Sequence, residues 1–213
     1  MFLEIFIIFI AIIFGYNAGR YKSFLQQNTG EALFIKEIKN ELAINGNDFH
    51  ILNNITYKFP DGSTTQIDHV IISRYGVFVI ETKHYSGWLY ANEHDKQWTQ
   101  VLFRKKFRFQ NPILQNYKHL KAIEALLDFL PSGSVHSAVV FTGNAEFKTN
   151  IPSGVYTPRK FINYYNSIAA EVMSENRLQF CIGRIERLRM KLTKETDVEH
   201  VQNLQSRFGE KNT

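Results

Sequence analysis

Asp68, Glu81 and Lys83 stand in the stretch QIDHVIISRYGVFVIETK, residues 66–83, where two apolar runs meet at a turn. If that turn is Ser73-Arg74-Tyr75-Gly76, Ser73 faces Gly76 and Asp68 falls opposite Glu81. Facing residues of an antiparallel pair share one side of the sheet, with β-carbons roughly 4.5–5.5 Å apart. Lys83 lies two residues beyond Glu81 and joins the same side. Two carboxylates this close repel, which raises a pKa or destabilises the fold unless a cation relieves them. Hard oxygen ligands suit Mg²⁺, Mn²⁺ or Ca²⁺ rather than zinc. A lysine beside such an ion can orient or deprotonate a water, the usual route to a nucleophile for phosphodiester cleavage. The same residues also read as a structural salt bridge, with Lys83 neutralising one acid and water solvating the other.

The elements that must hold this group follow from the pattern around it. Val70, Ile72, Val77 and Val79 continue the face of the acids, and Ile71, Phe78 and Ile80 make the opposite face apolar too. Strands apolar on both faces are interior strands of a covered sheet. Residues 28–44 read as an amphipathic helix with Asn28 as cap, Glu31 as capping-box partner, Leu33, Ile35, Ile38 and Leu42 inward, and Gly46 as stop. A strand is expected over 50–59 before the turn Pro60-Asp61-Gly62, with further strands at 87–90 and 97–109 around the polar turn 92–96. Asn111-Pro112 opens a long helix whose buried stripe is Ile113, Tyr117, Leu120, Ile123, Leu127 and Leu130, and Pro131-Ser132-Gly133 stops it. Residues 135–141 and 154–156 read as short strands, and 158–192 and 196–208 as charge-rich helices. This order predicts an α+β or mixed α/β domain with a central sheet.

The 213 residues are 44% hydrophobic and 14% aromatic, enough for one well-packed domain. The net charge of +5 favours an anionic partner without choosing among nucleic acid, anionic lipid and acidic protein. A single cysteine, Cys181, excludes an intrachain disulfide framework and a Cys-rich zinc site. No HExxH, P-loop or dinucleotide fingerprint occurs. Residues 2–19, FLEIFIIFIAIIFGYNAG, are apolar apart from Glu4 and Asn17, and Arg20 and Lys22 follow them. A span needs roughly 17–25 such residues. A cleavable signal would carry its cations before the apolar run, not after it. The expectation is an uncleaved single-pass transmembrane anchor over residues 1–20 in the cell membrane, with the chain from Arg20 onward in the cytoplasm.

Asp68 followed by Glu81-Thr82-Lys83 on the next strand resembles the acid-then-(D/E)xK signature of the restriction-endonuclease-like nucleases. More closely, residues 29–125 resemble the NERD (nuclease-related domain) family. The matching pieces are Gly30-Glu31, Gln66-Ile67-Asp68-His69, the run from Tyr75 to Lys83, Gly87, Trp98, and Asn111-Pro112-Ile113-Leu114-Gln115. The resemblance implies a restriction-endonuclease-like central mixed sheet flanked by helices. It also implies Asp68 and Glu81 as metal ligands for Mg²⁺ (or Mn²⁺), and Lys83 as catalytic base or water-positioning group. Glu31 would be a further acid and Gln115 a polar contact. The implied activity is hydrolysis of DNA, or of RNA. Ile67 stands where related nucleases often carry proline.

Other residues have plainer readings beside functional ones. Glu31 is also explained as a capping-box residue, while Gln115 lies off the apolar stripe and can face a site. His69 and His84 border the acids and point to the other face. In 101–109, Phe103, Phe107 and Phe109 alternate with Arg104, Lys106 and Arg108, a basic side that can line phosphates or simply be solvated. Arg184, Arg187, Arg189, Lys191 and Lys194 read as helix surface with an attraction to anionic lipid. The whole reads as an anchor over 1–20, a NERD-like domain over 21–145 and a C-terminal helical extension over 146–213. The expected function is Mg²⁺-dependent nuclease action at a membrane. Its alternatives are an inactive nucleic-acid- or protein-binding module, or a tethered scaffold.

Overall fold

Strands β2 (Thr64–Ser73) and β3 (Gly76–Lys83) are apolar on both sides, and helices cover both. The structure, a computed structural model, describes residues 29–42 and 49–209. The expected anchor, the cap Asn28 and the stop Gly46 lie outside the described residues. No helix among the described residues is long and apolar enough to cross a membrane.

The main sheet has five strands in the order β1-β2-β3-β7-β9, where β1 is Phe49–Lys58, β7 is Val135–Phe141 and β9 is Val155–Tyr156. The first three form an antiparallel meander, and β7 and β9 add in parallel. The predicted turn and register hold, with Ser73 opposite Gly76 and His69 opposite Ile80. Helix α1 (residues 29–42) and α3 (Pro158–Ser167) cover one face around Phe34, Ile38, Leu42, Ile71, Phe78, Ile80 and Phe161. On the other face, α2 (Pro112–Leu126) and α4 (Glu175–Leu188) pack on Val70, Ile72, Val77 and Val79. Fully burying each such aliphatic side chain stabilises the fold by roughly 1.5–3 kcal/mol. A last helix, α5 (Lys194–Gly209), lies against β2.

A second sheet of four strands has the order β6-β5-β4-β8, with β4 Gly87–Tyr90, β5 Gln97–Leu102, β6 Lys105–Gln110 and β8 Ala145–Phe147. It grows out of the first. The parallel pair β3 and β7 continues, after short links, as the parallel pair β4 and β8. Leu89, Trp98 and Phe141 fill the space beneath it.

Several local expectations are corrected. Residues 97–109 are a hairpin rather than one strand, turning at Phe103 and Arg104, both at positive φ (46° and 72°). Paired left-handed residues suit a two-residue hairpin turn, but the usual Asn-Gly signal is missing. Leu33 is exposed, and Phe34 takes its place one position on, at the four-residue spacing shared with Ile38 and Leu42. Tyr117 is also exposed, and the buried side of α2 carries Asn116 and His119 in its place. The expected helix 158–192 is two helices, because α3 ends at Ser167 and Ser174 caps α4 afresh.

Candidate functional site

The site forms where the β2–β3 ladder stops. Its last pair is His69 with Ile80, one step short of Asp68 and Glu81. On the other side of β2, Asn53 pairs with His69 and Ile55 with Ile67, in step, while Asn54 and Asp68 between them do not pair. Asn54 has φ 51°, a left-handed residue inside a strand. Asp68 is thus the place where β2 is released on both sides. Its Oδ2 accepts the backbone N–H of Thr82 at 2.8 Å and the Thr82 hydroxyl at 3.0 Å.

Alternation keeps Glu81 and Lys83 on the α2 side of β3. Lys83 Nζ lies 2.5 Å from Glu81 Oε1 and donates at 3.3 Å to Gln115 Oε1. The second Glu81 oxygen lies 3.2 Å from Nε2 of His119, whose Nδ1 is 2.8 Å from the Thr65 hydroxyl. Gln115 and His119, four apart on α2, share one face of that helix. Asn116 fixes that face by donating to the carbonyls of Val79 (2.9 Å) and Ala138 (3.1 Å). Asn111 sets where the helix starts, accepting from Ile113 N at 2.9 Å and donating to Asp95 O at 2.7 Å in the preceding turn.

Electrostatics divide the two acids. Burial, then the charge of Glu81, pushes the Asp68 carboxyl up to about 8, despite the Thr82 N–H, and Glu31 adds to the push. Burial also works against ionised Glu81, but Lys83 and His119 outweigh it and hold its pKa below the ordinary value. Lys83 stays protonated because Glu81 overcomes its desolvation. Burial lowers His69 to about 4, with Glu81 pulling the other way, so its ring is neutral.

Glu31 reaches this end of the sheet because Gly30 packs where a side chain cannot. A β-carbon there would lie 2.5 Å from Thr142 Oγ1 and 2.6 Å from His84 Nδ1. The structure therefore brings Asp68, Glu81, Lys83 and Gln115 together, with Glu31 near enough for its charge to act on Asp68. His119 joins the cluster in the structure without being among the residues expected from sequence. The available signal is a histidine four residues after Gln115, one helical turn along the same face.

The basic residues of the hairpin separate. Arg104 lies in the turn, away from Lys106 and Arg108, which project from one face of β6. Through β5, that face continues to Trp88 and Tyr90 of β4, both exposed.

Comparison with known proteins meets this geometry. The NERD (nuclease-related domain) family profile matches residues 26–142. An uncharacterised protein of Bacillus anthracis is 38% identical over 168 residues, covering 76% of this chain and 76% of that protein. The chain belongs to the NERD family. The family has the restriction-endonuclease-like fold. The NERD match runs through α1 to the end of β7 and contains every side chain of the cluster just described.

Among the described residues, no three His, Cys, Asp or Glu side chains stand together as a ready metal cage. Mg²⁺ does not require one, since it commonly takes one or two carboxylates and completes its shell with water and substrate phosphates. Asp68, held protonated in a site shared with Glu81, is the kind of acid such a cation stabilises. The donor set fits a hard divalent ion.

Proposed function

We propose that this NERD domain is a Mg²⁺- or Mn²⁺-dependent nuclease, with Asp68 and Glu81 as the residues that would hold the ion. The observation that carries the reading is the meeting of two acids and a lysine at the released end of the β2–β3 hairpin. A cation held there supplies charge stabilisation at the phosphate and a more acidic water. The chain supplies the rest. Lys83 carries a proton, which favours water positioning and phosphate neutralisation over the role of base. Gln115 and Glu81 fix its ammonium, and His119 and Thr65 fix Glu81. Thr82 orients Asp68. Lys106 and Arg108, beside exposed Trp88 and Tyr90, offer cations and stacking faces to a nucleic acid.

One observation favours a second reading. Glu81 is already paired with Lys83 through one oxygen, and His119 Nε2 stands 3.2 Å from the other without a hydrogen bond. A binding module that keeps this ion pair as architecture would look the same. The two readings separate when the full chain, in mild detergent, is incubated with plasmid, linear duplex, single-stranded DNA and RNA in Mg²⁺, Mn²⁺ or chelator. The nuclease reading requires cation-dependent cutting of at least one substrate that Lys83→Met abolishes. Binding without cutting by any cation supports the module.

We propose further that residues 2–19 tether the domain to the cell membrane, on the strength of their length and the cations after them. Recovery of the chain in the membrane pellet after alkaline carbonate washing is expected. Release into the supernatant would contradict the tether.

A further inference from the structure

A groove of about 560 Å³ runs between the flank of α1 and strands β1 and β2, with Glu31, Ile35, Lys36, Lys39, Asn54 and His69 among its walls. That volume suits one small organic ligand and is too small for a duplex. Its chemistry is specific. Lys36 and Lys39 are exposed cations three residues apart on one helix flank. Ile35 gives an apolar wall between them and the sheet.

His69 is 3% exposed, and its Nδ1 meets Asn53 Oδ1 at 2.8 Å. An amide oxygen can only accept, so Nδ1 carries the proton and Nε2 is left as an acceptor. That Nε2 is buried and has no hydrogen-bond partner. A buried acceptor without a donor is costly and calls for one from outside. Beside it, Asn54 is exposed and held left-handed, out of the ladder that its neighbours keep. Asparagine adopts this conformation more readily than most residues, and such breaks in a strand cluster where a site needs them. An asparagine amide there offers one donor and one acceptor side by side, the pattern that reads a base edge.

The groove adjoins the acid cluster. Glu31 lines its end and acts on Asp68 by charge, and His69 follows Asp68 in β2.

We propose that the groove seats one unpaired nucleotide of the substrate strand, its phosphate between Lys36 and Lys39 and its base edge on Asn54 and His69 Nε2. This rests on the nuclease reading and narrows it, because a base inside a duplex is stacked and has its Watson–Crick edge paired, so it cannot enter a groove sized for one nucleotide. The substrate class is therefore single-stranded or locally opened nucleic acid.

The test is fluorescence anisotropy of the full chain in mild detergent and chelator, with labelled 12-nucleotide single strands, the same sequence as duplex, and an abasic strand. The variants are Lys36→Glu with Lys39→Glu, Asn54→Gly, and a control, Arg177→Glu with Arg187→Glu on α4. Glycine accepts the positive φ of Asn54, so that variant keeps the backbone and removes the amide. The wild type is expected to prefer the single strand over both other probes. The lysine reversals should weaken single-strand binding about tenfold or more and reduce the salt slope by about 1 to 1.5. Asn54→Gly should weaken the normal strand about threefold and leave the abasic strand unchanged. The control should leave single-strand affinity unchanged. Groove variants that bind single strands as the wild type does, or a wild type that prefers duplex, would overturn the groove assignment. A parallel Mg²⁺ and Mn²⁺ cleavage assay keeps the two claims apart. Cutting that ignores the groove variants defeats only the groove, and groove-dependent binding without cutting defeats only the nuclease.

Discussion

Thr82 gives one oxygen of Asp68 two donors, its backbone N–H at 2.8 Å and its hydroxyl at 3.0 Å. They meet where the next rung of the β2–β3 ladder would have been. The carboxylate thus satisfies a strand N–H that its own backbone has released. An asparagine oxygen would serve that purpose without the cost of burying a charge beside Glu81. The backbone therefore explains the oxygen at this position but not the acid.

That cost has a pH signature. Asp68 titrates near 8 when folded, against an ordinary value of 3.8. Between these values the folded chain holds a proton that the unfolded chain has lost, so stability falls as pH rises, by up to about 1.4 kcal/mol per unit. Glu81, with its pKa lowered, acts in the opposite sense and at lower pH, losing its contribution as pH falls through its folded value. Asp68→Asn should match the wild type near pH 4 and exceed it by about 1–3 kcal/mol at pH 8.5 in chelator. Denaturant melts across that range check this. A difference that does not change with pH would contradict it.

His119 is expected to act through Glu81. In His119→Ala, one oxygen of a nearly inaccessible carboxylate loses its neighbour, at a cost of about 1–3 kcal/mol. Mn²⁺ affinity should fall as well, because Glu81 is no longer held in place. A variant that loses stability but keeps full cation affinity would make His119 purely structural.

Gly30→Ala tests how α1 is docked. Its added methyl would press on Thr142 Oγ1 and His84 Nδ1, and overpacking of this kind costs about 1–3 kcal/mol. Combining it with His84→Ala should recover part of that loss. Thermal melts of the single and double variants measure the recovery, and strict additivity would show that the contact is not made.

Much of this was legible because strand geometry is so regular. Period-two alternation and one turn are enough to place Glu81 and Lys83 on a common face and to set the β2–β3 register as far as His69 and Ile80, one step short of Asp68. Helix faces were harder to read. The inward side of α2 carries Asn116 and His119, polar residues held by specific hydrogen bonds, so apolar spacing alone points to Tyr117 instead. The break at Asn54 has no sequence signal apart from asparagine's tolerance of left-handed φ. The turn at Phe103 and Arg104 uses residues that hairpin turns usually avoid, so its sequence reads as continuous strand.

Cation uptake by the cluster tests the central claim most directly. Free Mn²⁺ is followed by electron paramagnetic resonance as it is titrated into the full chain in mild detergent with a single-stranded oligonucleotide present. Wild type, Asp68→Asn, Glu81→Gln and Lys83→Met are compared. The wild type should bind about one ion per chain, completed by substrate phosphate and water. Asp68→Asn and Glu81→Gln should each bind about tenfold or more weakly. Lys83→Met should keep its affinity within about threefold and cut nothing, since its work is on water and phosphate. A wild type that takes up no Mn²⁺ beside nucleic acid, with Lys83→Met merely less stable by the several kcal/mol of a broken buried ion pair, would contradict the account.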